Sequence, residues 1–241
     1  MPHSPTPTRS TPSRPFVRLV LAISLDGRLA PPSGGAAQLG GEGDRRALEH
    51  ALAWGDACLI GAGTLRAHRC TCLIRNPDLL KQRRQEGRPE QPTAVVVSRS
   101  PDFSQDWLFF RQPLHRWLLA PAPVEAGFER WIPLAESWPQ RLEALGSAGI
   151  QRLVLLGGAN LAADLLAADC VDALQLTLVP RLLGGGNTWL PSACSDLPEA
   201  LTQPEAWDAE LAEPLGGGEW LLHYRRLRTP PIGGVRGEFT P

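Results

Sequence analysis

The feature that most constrains this chain is an alternation of short apolar runs with segments of helical spacing. Residues 16–23, 57–61, 93–97, 117–120, 153–156 and 173–179 read as strands, and residues 219–227 as a last one. The run at 57–61 is apolar at every position that carries a side chain. That suits a strand covered on both faces in the middle of a parallel sheet. Between the strands, Asp44 can cap a helix running to about Trp54, with Leu48, Ala51 and Leu52 on its buried face. Ser137-Trp138-Pro139-Gln140 has the form of a capping box and opens a helix that ends near Gly146. A further helix spans about 160–168. Residues 31–43, rich in Gly and Pro, read as a loop, and residues 76–91 as a long polar segment. Strands alternating with helices predict an α/β fold with helices on both sides of a central, mostly parallel sheet, a three-layer sandwich.

With 241 residues the chain can bury a real core, and one domain over residues 15–228 is the simplest account. Residues 1–14, dominated by Pro, Ser and Thr, are expected to form a disordered tail, and residues 229–241 a loose one. The formal net charge of −1 gives no electrostatic reason to expect nucleic acid or an anionic membrane as partner. The pairs Arg83-Arg84 and Arg225-Arg226 read as solvated faces. No apolar run approaches the ~20 residues that span a bilayer. Five scattered cysteines (Cys58, Cys70, Cys72, Cys170, Cys194) do not make a disulfide framework, so a reducing, cytoplasmic setting is expected. His68-x-Cys70-x-Cys72 holds three zinc-binding residue types but lacks a fourth at a recognisable spacing, and no metal is expected.

Two glycine turns follow strands and lead into helices: Gly61-Ala62-Gly63-Thr64 and Gly157-Gly158-Ala159-Asn160. Glycine lets backbone approach a phosphate closely, and a helix N-terminus offers it unpaired N–H groups. Ligands of open α/β sheets collect at the carboxyl ends of the strands, so two such turns suit a ligand with separated anionic parts, such as a dinucleotide. The pattern is not a G-x-G-x-x-G fingerprint, since Arg66 stands where the third glycine belongs. A P-loop and a G-x-S-x-G elbow are absent as well.

Ser24-Leu25-Asp26-Gly27, closing the first strand, resembles the S-L-D-G motif of the pyrimidine reductases of riboflavin synthesis. Gly61-Ala62-Gly63-Thr64 resembles their G-x-x-T segment, and Gly157-Gly158 their nucleotide-binding turn. Residues 171–184, with Val171-Asp172-x-Leu174 and Pro180-x-Leu182-Leu183-Gly184, resemble their V-D-E-L…P-x-L-L-G ending. The motifs fall in order across about residues 16–190. The resemblance implies a dihydrofolate-reductase-like fold, a homodimer, and NADPH as cofactor without metal or flavin. It implies hydride transfer to the ribose C1′ of 5-amino-6-(5-phosphoribosylamino)uracil, giving the ribitylamino product. Larger relatives also carry a zinc deaminase domain, whose H-x-E and P-C-x-x-C signatures are missing here.

Residue by residue, the resemblance assigns Gly63, Thr64, Gly157, Gly158, Ala159, Asn160 and Leu161 to the cofactor, with Ala22 and Ile23 as backbone against the nicotinamide. Ser98 would meet the adenosine phosphate end, with Arg99 beside it. Arg75 falls at a substrate-binding arginine, and a guanidinium fork suits a sugar phosphate. Gln38 lies in the region of a substrate segment. The chain departs from the family at Ala67-His68-Arg69-Cys70, where A-D-x-P is usual, at Leu156, where a glutamate often precedes the glycine turn, and at Ala173. Asp26, at a strand end, and His68, with a side-chain type that titrates near neutrality, are the candidate proton donors. Two alternatives stand beside this one: a reductase of another pterin-like or ribosylated heterocycle, and a non-catalytic nucleotide-binding relative.

Overall fold

The computed structural model describes residues 14–34, 39–124, 127–191 and 197–228. Along the chain run β1 (Phe16–Ser24), α1 (Glu42–Trp54), β2 (Ala57–Gly61), α2 (Ala62–His68), α3 (Pro77–Gln85), β3 (Thr93–Val97), β4 (Arg116–Ala120) and β5 (Arg130–Pro133). There follow α4 (Trp138–Ser147), β6 (Arg152–Leu155), α5 (Ala159–Ala167), β7 (Ala173–Val179), α6 (Glu199–Thr202), β8 (Trp207–Gly216) and β9 (Glu219–Arg226). Among the described residues the strands form one sheet in the order β5-β4-β3-β2-β6-β1-β7-β9-β8. From β5 to β7 all neighbours are parallel, and the β8–β9 hairpin joins β7 antiparallel.

The period-two alternation of β1 divides its side chains between two cores. Val17, Leu19, Leu21 and Ile23 pack with Leu142 and Leu145 of α4 and with Leu161 and Leu165 of α5. Val20 faces the other way, into a core made by Leu52 of α1, Leu65 of α2 and Leu79 of α3. Each fully buried Leu contributes roughly 1.5–3 kcal/mol. Both faces of the parallel strands are therefore covered, and this is the reason they read as nearly unbroken apolar runs.

Several elements depart from the reading of the sequence. Helix α1 starts at Glu42, and Asp44 is inside its first turn rather than its cap; the cap is Gly41, with no side-chain capping bond. The orphan N–H groups of Gly41 and Asp44 instead donate to the buried Glu219 carboxylate of β9. A local rule cannot find a partner so far along the chain. The polar segment at 76–91 contains α3, with Asn76 as N-cap accepting from the Asp78 N–H at 2.9 Å and Pro77 at the first position. Arg83 on α3 is not solvated: its guanidinium is buried and donates to the carbonyls of Leu52, Ala53, Gly55 and Pro89. It thereby satisfies the open C-terminal end of α1. Burial lowers its pKa to about 10, still far above neutrality. Arg84 is exposed and pairs with Glu90. The second pair splits likewise, with Arg225 exposed and Arg226 buried against Asp169 at 3.3 Å. Strands β5 and β8 were not evident in the sequence, because edge strands with mostly exposed residues carry no apolar alternation. Arg14, read as part of the tail, is held by Asp172 through two bonds of 2.7 and 2.8 Å. The capping box at Ser137 and Gln140 is present.

Candidate active site

The parallel strands bring their carboxyl ends to one edge of the sheet. There β2 and β3 are in register at Gly61 and Val97, β2 and β6 at Leu59 and Leu155, and β1 and β7 at Ala22 and Thr177. Strand β6 lies between β2 and β1, so the chain leaves β1 in one direction and returns beside it later. Such a reversal opens a crevice above the strand ends.

The Gly157-Gly158 turn stands at this crevice. Both glycines are left-handed, with φ of +82° and +80°. A Cβ on Gly157 would come within 2.8 Å of Leu21 Cδ2, and one on Gly158 within 2.8 Å of Thr64 Oγ1. The Thr64 hydroxyl donates to the Gly157 carbonyl at 3.4 Å, so the two glycine turns touch. Helix α5 begins at Ala159 without a side-chain cap, which leaves the first-turn N–H groups of Ala159, Asn160 and Leu161 without an intrahelical partner. The Leu161 side chain is core, and the Ile23 side chain also packs inward, so these residues offer the edge only backbone. Gly63 is exposed with open space beside it. Ser98, just past β3, is buried, and its Oγ accepts the Ser100 N–H at 3.1 Å. Gly63, Thr64, Ser98 and residues 157–161 thus gather over three adjacent strands.

The β1–β7 side of the edge is built from side chains. Asp26 accepts from the Ser24 hydroxyl, from the Leu183 N–H at 3.2 Å and from the Gly184 N–H at 2.7 Å. These bonds, the Ser24 hydroxyl foremost, lower its pKa to about 2. Arg28 Nε donates to the Gly185 carbonyl at 2.7 Å, so the exits of β1 and β7 are lashed together. Accepting on both oxygens, Asp26, the candidate proton donor of the sequence, latches the exit of β1 to the loop after β7. His68 is exposed on the last turn of α2, a full turn past Thr64, with no hydrogen-bond partner among the described residues. Gln38 lies outside the described residues, as does Cys194.

Arg75 is exposed, and its backbone is fixed because Glu49 Oε2 accepts both its N–H at 3.0 Å and that of Asn76 at 2.8 Å. Its charge reaches the neighbouring Cys72, which is exposed. Cys72 in turn feels Asp44. This brings out a residue that the sequence offered only as a helix cap. The Asp44 carboxyl is partly buried and lies near Thr177 of β7. Its pKa is raised, chiefly by burial and further by the charge of Glu219. No local spacing signals this proximity, since Thr177 is distant in the chain. Among the described residues, no group of three or more His, Cys, Asp or Glu is placed to hold a metal ion.

A doubly covered parallel sheet with paired glycine turns at its carboxyl edge defines an α/β domain of the dihydrofolate-reductase type. Its fold is shared with dihydrofolate reductase of Enterococcus faecalis at a TM-score of 0.52 and 13% identity, over 89% of this chain and 98% of that one. The likeness to a pyrimidine reductase-like protein of Corynebacterium diphtheriae is greater, with a TM-score of 0.72 and 19% identity over 89% of this chain and 93% of that one. In sequence, the model of the RibD C-terminal domain family matches residues 15–200. The chain belongs to that family and is an oxidoreductase of the pyrimidine reductase type, a riboflavin-biosynthesis reductase. It is 26% identical over 200 residues to the 2,5-diamino-6-ribosylamino-4(3H)-pyrimidinone 5′-phosphate reductase of Archaeoglobus fulgidus, covering 75% of this chain and 86% of the relative. It spans about half the length of the curated relatives named riboflavin biosynthesis protein RibD that it matches.

Proposed function

We propose that this chain uses NADPH to reduce 5-amino-6-(5-phosphoribosylamino)uracil at the ribose C1′, giving the ribitylamino product. The observation that carries the reading is the contact between the two glycine turns, Thr64 against Gly157 at 3.4 Å. It aligns two backbone surfaces and the uncapped start of α5 at one crevice, a fit for a diphosphate. When bound, NADPH supplies the hydride.

In this reading Gly63, Thr64, Gly157, Gly158, Ala159, Asn160 and Leu161 hold the diphosphate and ribose, largely through backbone N–H groups. Ser98 meets the adenosine phosphate end. Arg99, exposed beside it, and Arg66, whose guanidinium reaches the Ser100 carbonyl at 2.7 Å, offer positive charge to a 2′-phosphate. Backbone at Ala22 and Ile23 lines the nicotinamide, and placing the reacting carbons ~3–3.5 Å apart is most of what hydride transfer asks of the protein. Arg75 takes the substrate phosphate, with Gln38 near the base. The exposed Trp220 of β9 supplies apolar surface for a homodimer, and the free thiols suit a reducing cytoplasm.

A second reading changes only the base. The archaeal relatives are named for a diaminopyrimidinone substrate, and the chain covers most of their length, which favours that form at the same site. Trp189 packs 3.7 Å from the Cβ position of Gly27 at the site's edge, so quenching of tryptophan fluorescence by NADPH reports binding. Loss of nicotinamide absorbance on adding each pyrimidine then reports turnover. Oxidation with the aminouracil supports the first reading, and oxidation with the diaminopyrimidinone alone supports the second. Absence of NADPH binding defeats both.

A further inference from the structure

The arginines at the two edges of the sheet are held differently. At the amino edge guanidiniums meet carboxylates: Arg14 and Arg228 share Asp172, and Arg88 and Arg152 share Asp56. Arg66, at the carboxyl edge, is held without being neutralised. It lies on α2, two residues past Thr64, and its Nη2 donates to the Ser100 carbonyl at 2.7 Å. Its Cζ stands 5.2 Å from the centroid of the Phe103 ring, and the attraction of a cation for a ring face orients the fork. Phe103 is itself buried, with ring centroids of Trp107 and Phe128 at 5.9 and 6.2 Å. Among the described residues no carboxylate pairs with Arg66. The remaining N–H groups of a fixed guanidinium are therefore open to an anion.

The turn after β3 brings a second donor to the same place. Ser98 is 3% exposed, and its Oγ accepts the Ser100 N–H at 3.1 Å. Its own hydroxyl proton has no acceptor among the described residues. Strands β2 and β3 run parallel and in register at Gly61 and Val97, so α2 and this turn leave the sheet side by side. Arg99, between the two serines, is a poorer candidate. No hydrogen bond or ring fixes its side chain among the described residues, and it feels the like charge of Arg141 on α4.

We propose that Arg66, positioned by Phe103 and Ser100, makes this site select a dinucleotide with a 2′-phosphate on its adenosine ribose over one with a 2′-hydroxyl. This assignment rests on the NADPH reading above and gives the choice between the two dinucleotides to one side chain. A carboxylate acceptor favours a 2′-hydroxyl, and an arginine accommodates a 2′-phosphate. Arg66 and Ser98 present donors, and the planar fork of Arg66 matches phosphate oxygens.

Isothermal titration calorimetry of the full chain with NADPH, NADH, 2′,5′-ADP and 5′-AMP tests the assignment without turnover. Hydrogen bonds to a charged group are worth about 10–100-fold in affinity. The wild type is expected to prefer NADPH to NADH, and 2′,5′-ADP to 5′-AMP, by at least about that factor. Arg66→Ala should lower affinity for NADPH and 2′,5′-ADP about 10–100-fold and leave NADH and 5′-AMP within about twofold. Arg66→Lys should recover only part of the loss, because a point charge lacks the fork. Phe103→Leu keeps the charge but frees the fork, so the NADPH-to-NADH ratio should fall about 2–5-fold. A general loosening of the aromatic cluster would weaken both dinucleotides alike and leave that ratio unmoved.

A preference that survives Arg66→Ala, or an equal loss for NADPH and NADH in that variant, overturns the proposal. Loss of the preference in Arg99→Ala with Arg66 intact does the same and hands the role to Arg99. A wild type that binds both dinucleotides equally also overturns it, while the reductase reading stands. Binding of neither dinucleotide defeats both.

Discussion

The two halves of the carboxyl edge are made of different material. Over β3, β2 and β6 the site is backbone: two left-handed glycines, the open first turn of α5, and Thr64 bonded to a carbonyl. Over β1 and β7 it is side chains, Asp26 and Arg28 tying two loops, and beside α1 stands Arg75, its backbone held by Glu49. A backbone surface can be read from glycine spacing because the spacing is the surface. A side-chain surface depends on which distant residues meet, and that information is not local. Mutations should divide the same way. Changes on the backbone side act on cofactor binding through conformation, and changes on the side-chain side act on one contact at a time.

The largest effect should come from Gly158→Val. The new side chain has to accept φ near +80° and a Cβ 2.8 Å from Thr64 Oγ1, and a residue forced into such a region costs about 1–3 kcal/mol. We expect NADPH affinity to fall about 100-fold or more and the melting temperature to drop by about 3–10 °C. Gly63→Ala is the sharpening control, because open space surrounds its Cβ position and its φ is not positive. If both substitutions weaken NADPH equally in titration, the glycines act through something other than backbone shape, and the contrast between the halves is lost.

This contrast also accounts for what the sequence made legible. The runs at 57–61, 93–97 and 173–179 coincide with β2, β3 and β7 residue for residue, because strands covered on both faces are mostly apolar, with Thr93, Gln175 and Thr177 as the buried polar exceptions. The glycine turns were legible for the same local reason. Helix α3 was hidden because its buried face is only Leu79 and Arg83, an arginine that caps carbonyls of α1 where an apolar stripe would continue. Strand β8 was hidden because an edge strand exposes most of its residues. Asp44 was visible in the sequence but misassigned. Capping rules favour an aspartate near a helix start, whereas here the capping carboxylate arrives from Glu219 on β9.

Arg75→Ala should rank second and affect only the side-chain half. Hydrogen bonds to a charged group are worth about 1.5–3 kcal/mol, so KM for the phosphorylated substrate should rise about 10–100-fold. NADPH affinity should stay within about twofold. Arg75→Lys should recover only part of the loss, since a point charge lacks the fork that grips a phosphate. An equal loss for NADPH in the same titrations would mean that Arg75 serves the cofactor, and the division of the edge would have to be redrawn.

The smallest effect on chemistry is expected from Asp26→Asn. Asp26 donates nothing in this structure; it accepts from Ser24, Leu183 and Gly184, and its pKa is lowered to about 2. Because the unfolded value is ~3.9, its stabilising contribution is complete above that value and fades as pH falls toward the folded one. The wild type should therefore melt above Asp26→Asn at neutral pH, with a gap that narrows below about pH 4. Removing a latch loosens the 181–185 loop without removing a reacting group, so kcat should stay within about threefold while KM rises modestly. A general acid would behave otherwise: its removal would cost about 100-fold or more in kcat. A large kcat loss with an unchanged melting gap would return Asp26 to the chemistry.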